Sequence, residues 1–145
     1  MDAFWYSDVV DEPTRRLVTF SCSFFAGSHY SSAHCACGAE ELGLPHEKIL
    51  AIVQFETAPV YDERERAIIR LCHSAANCPS EVEAQHMEKL KSLVGVDVAT
   101  FIVGLISCMA FLNRWNEMCG TILEPVPRAY AETHLKQIGW ELTEK

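Results

Sequence analysis

The stretch 17–52, LVTFSCSFFAGSHYSSAHCACGAEELGLPHEKILAI, decides the fold class. Leu17, Phe20 and Phe24 recur at three- and four-residue spacing, the mark of one apolar helix face. Just upstream, Asp11 and Glu12 precede Pro13-Thr14, which puts acidic side chains at the positive end of the helix dipole and proline in the first turn. Gly27-Ser28 interrupts the pattern. A second helix is expected from Ser28 to about Leu42, with Gly43 just past its end and Pro45 beyond, and a third from about Pro45 to Phe55.

The same signals continue on both sides. Asp62 and Glu65 stand three residues apart in a capping-box pattern, followed by Ala67, Ile68, Leu71, Cys72 and Ala75 at helical spacing. Ser80 with Glu83 predicts a helix from Ser80 to Leu93, and Asp97 opens an apolar one that emerges into Asn113-Arg114-Trp115-Asn116. A closing segment, Arg128 to Gln137, stops at Gly139. Alternating strand patterns are nearly absent, and no repeat, low-complexity block or long linker is visible. The expectation is an all-α fold, a single helical bundle domain of about six to seven helices over residues 1–145.

Composition bounds the function. A chain of 145 residues buries enough surface to fold without disulfides or a structural metal. Twelve basic against twenty acidic residues leave a formal charge of −8, which repels a phosphate backbone, so no nucleic-acid partner is expected. Seven cysteines are an odd number, and the acidic, aromatic opening MDAFWYSDVVDE lacks a basic, apolar leader; free thiols in a reducing, cytoplasmic setting are expected. The run Val98–Leu112 is apolar but only 15 residues long, short of the roughly 20 a spanning helix needs, so it is read as a buried core helix and no membrane partner is expected.

Reactive side chains are densest at 28–37, SHYSSAHCAC. At about 100° per residue, Ser28, Ser31 and Cys35 share one helix face within about 60°. Free N–H groups and the positive dipole end at a helix start stabilise an anion or an enolate-like charge. Bland readings stand beside these. Ser28 is a residue type suited to an N-cap, His34 suits a satisfied core or interface position, and Cys35 and Cys37 suit small buried apolar sites. The spacing of His29, His34, Cys35 and Cys37 scatters them around the helix, so no metal is expected. Arg114 follows the apolar run and either pairs with Glu117 or a helix end, or stands with Asn113 at a pocket.

The frame 17–52 resembles the signature segment of the carboxymuconolactone decarboxylase and alkylhydroperoxidase-D-like (AhpD-like) family. Members carry C-x-x-C-x-x-x-H at a helix start, a glycine eight residues after the histidine, and an acidic residue twelve before the first cysteine. Anchored on Gly43-Leu44, the two cysteine positions fall on Ser28 and Ser31, the histidine on Cys35 and the acidic residue on Arg16; His34 matches the first of a His-His pair. The segments APVYDERERAIIRLCHSAA (58–76), FLNRWNEM (111–118) and LKQIGW (135–140) look like one subgroup of the same family.

The resemblance implies an all-α bundle that assembles into trimers or hexamers. It does not carry the redox chemistry, because serine neither attacks a hydroperoxide nor resolves a sulfenic acid. What it leaves is the decarboxylase branch: cofactor-independent acid–base chemistry, of lyase or isomerase type, on a small carbonyl or carboxylate compound. In that reading His34 moves the proton, Ser28 and Ser31 position a substrate oxygen, and Cys35 is a wall or weak donor. Arg16 would hold an anionic substrate, with His29, Tyr30, Asn113 and Arg114 as further binding residues. Two alternatives stand beside it: a catalytically silent oligomeric binding or scaffold member, and a thiol peroxidase if Ser28 and Ser31 replace natural cysteines.

Overall fold

The computed structural model describes residues 2–142, and the side chains of 4–142. Its eight α-helices are α1 (Asp2–Trp5), α2 (Glu12–Phe25), α3 (His29–Ala36), α4 (His46–Leu50), α5 (Glu63–Ala76), α6 (Ala84–Val94), α7 (Val96–Cys119) and α8 (Pro125–His134). Single turns of 3-10 helix follow α4 and α8, at Ile52–Gln54 and Lys136–Ile138. No strand occurs among the described residues.

Local chemistry accounts for most of the boundaries. Thr14 N donates to Asp11 Oδ1 at 2.9 Å at the start of α2, with Pro13 in the first turn. At α5 the capping box forms in both directions: Glu65 N donates to Asp62 Oδ1 at 2.8 Å, and Asp62 N to Glu65 Oε2 at 3.1 Å.

Three elements depart from expectation. The simplest is the closing helix, which runs from Pro125 to His134 rather than from Arg128 to Gln137, because Glu124 takes the N-cap position with proline in the first turn. The second helix does not reach Leu42 but ends at Ala36, where Cys37 turns extended and Gly38 takes φ +83°, a conformation a side chain disfavours. Turns over 39–44 then carry Ala39 and Leu44 into the core, both about 1% exposed. Gly43 is needed there twice over, by its φ of +91° and because a Cβ would lie 3.1 Å from the Pro13 ring. The helix expected from Ser80 begins instead at Ala84, because Glu83 N finds the His86 ring at 3.1 Å while Ser80 Oγ binds only Val82 N.

Helix α2 is the central element, packed against α3, α5 and α7. Leu17 and Phe20 enter one apolar cluster with α3, α4 and α8, and Val18 and Cys22 enter a second with α5, α6 and α7. Cys35 touches both clusters, and Thr19 and Ser23 lie between them.

The apolar run is a correction. It belongs to a 24-residue helix, long and apolar enough by length and composition to cross a membrane, and it is buried along one face only. Ala99, Ile102, Leu105, Ile106, Met109 and Asn113 face inward, whereas Val103, Phe111, Trp115 and Met118 are exposed.

Candidate functional site

Helix α3 begins where three other helices converge. The C-terminal ends of α2 and α5 and the second half of α7 surround Ser28 and enclose a cleft of about 310 Å³. Cys22 and Ala26, Cys72 and Ala75, and Ile106 and Ala110 form its apolar walls. Asn113, Arg114 and Glu117 supply its polar side from successive turns of α7.

Ser28 stands at the N-cap of α3, yet its side chain caps nothing. The residue is 1% exposed, lines the cleft, and its Oγ has no hydrogen-bond partner in the protein. A buried hydroxyl left without a partner costs about 1–3 kcal/mol, a cost a bound polar group would relieve.

Asn113 presents the second such group. Ser23 Oγ lies 2.8 Å from Thr19 O and 3.1 Å from Asn113 Oδ1, with Cys35 Sγ at 3.9 Å. One hydroxyl carries one proton, and the buried Thr19 carbonyl takes it at the shorter distance. Turning the Asn113 amide lets its NH₂ donate to Ser23 Oγ and completes a consistent chain. In either orientation one polar end of the amide, 4% exposed overall, is left without a protein partner in the cleft wall. The cleft therefore presents a hydroxyl that donates or accepts and an amide, set against apolar walls. Such a surface is complementary to a small molecule carrying a carbonyl, carboxylate or ring N–H.

The predicted site residues divide into three places. Ser28, Asn113 and Arg114 meet in this cleft. Arg16 lies in the first half of α2, and Cys35 lies on α3 against Ser23 of α2. Burial pushes the Cys35 thiol up, opposed by hydrogen bonds to Ser23 and Thr19 and by the Arg16 charge. Arg16 is held by Glu12 through Nε at 2.7 Å, and it lines neither this cleft nor the next. Ser31, 5% exposed, accepts from Asn116 Nδ2 at 3.4 Å.

His29, Tyr30 and His34 face the other way. His34 Nε2 meets Glu124 Oε2 at 2.5 Å, its ring lies 4.6 Å from Tyr30, and Tyr30 OH donates to Glu124 Oε1 at 3.3 Å. Hydrogen bonding to His34 holds the Glu124 carboxyl below its ordinary value, and burial followed by the Glu124 charge raises the Tyr30 phenol. Glu124 is the N-cap residue of α8, so the trio ties α3 to the start of that helix. His29 and Tyr30 line a second cleft of about 380 Å³ with Asn116, Glu117, Thr121 and Arg128.

Glu117 lines both clefts. In the sequence it stands out only as a partner for Arg114, although its place four residues after Asn113 on one helix puts both on the same face. Ser23, Cys22, Cys72 and Cys78 gave no such signal, because the chain brings them to Ser28 from separate helices and a loop. Among the described residues, no group of three or more His, Cys, Asp or Glu side chains is placed to hold a metal ion.

In fold, this all-helical arrangement matches an AhpD-like helical domain. Two solved structures share it, both of the debrominase Bmp8. The complex of a Cys-to-Ala variant with 2,3,4-tribromopyrrole superposes with a TM-score of 0.84 at 23% identity, over 91% of this chain and 71% of that one. The apo enzyme gives 0.79 at 26% identity, over 89% and 67%. No protein-family model and no curated protein matches the chain.

Proposed function

We propose that the chain is a cofactor-independent acid–base enzyme whose substrate is a small, flat carbonyl, carboxylate or ring N–H compound bound in the Ser28 cleft. The observation that carries this reading is the pair of buried, unpartnered polar groups, Ser28 Oγ and the Asn113 amide, set into one apolar cleft. The bromopyrrole bound by the Bmp8 variant, which has the same fold, supports a small-molecule ligand of this size.

In this reading the Ser28 hydroxyl and the first-turn N–H groups of α3 stabilise negative charge on a substrate oxygen. Arg114 at the rim favours an anionic substrate. Glu117 is the carboxylate within the cleft and takes the role of proton acceptor that the sequence suggested for His34, which the fold turns toward Glu124. The exposed apolar face of α7 is the surface for self-association into the trimer or hexamer that the resemblance implies. Light scattering on the purified chain tests that assembly.

The ligand site is tested by NMR titration with 2,3,4-tribromopyrrole and pyrrole-2-carboxylate. Amide shifts concentrated at 26–29, 75–78 and 110–117 are expected, and Ser28→Leu should abolish them while leaving the far-UV spectrum intact. Binding that survives Ser28→Leu unchanged overturns the site. Binding without turnover, insensitive to Glu117→Gln, favours the silent binding protein.

A further inference from the structure

Three of the seven free cysteines, Cys22, Cys72 and Cys78, line the Ser28 cleft. Cys22 comes from α2 and Cys72 from α5, two helices packed against each other; both side chains lie in one buried cluster and line the same cleft, and Cys72 Sγ reaches Val18 O, one turn before Cys22 on α2, at 3.9 Å. Cys72 is fully buried and Cys22 only 5% exposed, so the surface they share with the cleft is where a small reagent reaches them. Neither takes part in the acid–base reading above.

We propose that Cys22 and Cys72 form a modification site, a dithiol that closes to a disulfide across α2 and α5 when a small hydroperoxide enters the Ser28 cleft. The Cys22 sulfur attacks one peroxide oxygen, the O–O bond breaks, and the other oxygen leaves as an alcohol or as water with the thiol proton. Cys22 is then a sulfenic acid. The Cys72 sulfur displaces its hydroxyl, which departs as water with the Cys72 proton, and the S–S bond forms. Two electrons pass from the two sulfurs to the peroxide, and an external dithiol restores the pair by exchange. Burial pushes the Cys22 thiol well up, so the attacking thiolate is scarce at neutral pH and closure accelerates as pH rises.

The whole chain, treated with hydrogen peroxide and then with an alkylating reagent, is examined by intact mass and peptide mapping. The expected result is loss of two thiols and a Cys22–Cys72 cross-link, retained in a Cys78→Ser/Cys119→Ser variant and absent from Cys22→Ser and from Cys72→Ser. Mapping of the unsubstituted chain gives the answer even if either single variant fails to fold. A cross-link that instead joins Cys78 to Cys22 or Cys72, or oxidation confined to the exposed Cys78 and Cys119, overturns the proposal. Saturating 2,3,4-tribromopyrrole should slow closure several-fold, and unchanged closure with the probe bound at the cleft refutes the route. Failure of the probe to bind counts against the ligand reading alone, since the cross-link is measured without it.

Discussion

The two sides of helix α3 carry similar residue types and do opposite things with them. On the α8 side, His34, Tyr30 and Glu124 satisfy one another at a solvent-exposed helix junction. On the α2–α5–α7 side, Ser28 and Asn113 are deeply buried and each keeps a polar end without a protein partner. An exposed hydrogen-bonded pair is cheap to form and does little, whereas an unsatisfied buried polar group is costly and persists only where something else compensates it. The chemically richer residues, the histidine and the carboxylate, tie α3 to the start of α8. The plainer serine and asparagine mark the site in the proposed reading.

The contrast can be broken in several ways. Phe20→Ala attacks what both sides share, since α2 supports α3 through this fully buried ring. It should cost about 3–5 kcal/mol of unfolding free energy, read from urea denaturation. Asn113→Leu separates site from scaffold: probe affinity should fall about tenfold, roughly 1.4 kcal/mol, while stability does not fall, because Ser23 keeps its bond to Thr19 O. A loss of stability alongside unchanged affinity would make Asn113 structural.

Asp11→Ala removes the α2 cap and should cost about 1 kcal/mol at neutral pH. The bond from Thr14 holds the Asp11 carboxyl below its ordinary value, so the ionised form favours the folded state. That contribution is present above the ordinary carboxylate range and is lost as pH falls toward the lowered folded value, so wild type and variant should converge in acid. The smallest effect belongs to His34→Ala, whose thermal midpoint should be indistinguishable from wild type and whose probe titration should be unchanged. Loss of turnover in that variant would move the proton-transfer group to the α8 side.

The contrast also explains which parts were legible in the sequence. Asp11-Pro13 and Asp62 with Glu65 act through hydrogen bonds and φ angles within three or four residues, so the helix starts they predict are found, whereas Gly139 ends a 3-10 turn and not α8 itself. Where two local signals competed, as Ser80 with Glu83 or Gly38 with Gly43, the boundary moved. Helix α7 is apolar all round, so periodicity has no polar face from which to read its orientation, and the exposure of Phe111 and Trp115 was hidden. Within the site, Ser28 and Asn113 were legible as candidates but not as neighbours.

By itself the sequence determined the helical class, the Asp11 and Asp62 caps, the net acidic charge, and the absence of cysteine at positions 28 and 31. These follow from composition and from interactions a few residues long. Only the tertiary structure decided that Ser28, Cys22, Cys72, Asn113 and Glu117 line one cleft and that His34 turns toward Glu124. Each of those arrangements joins residues far apart in the chain and depends on how a side chain is turned about its helix axis. That rotation is set by packing against several helices at once, which no local pattern encodes.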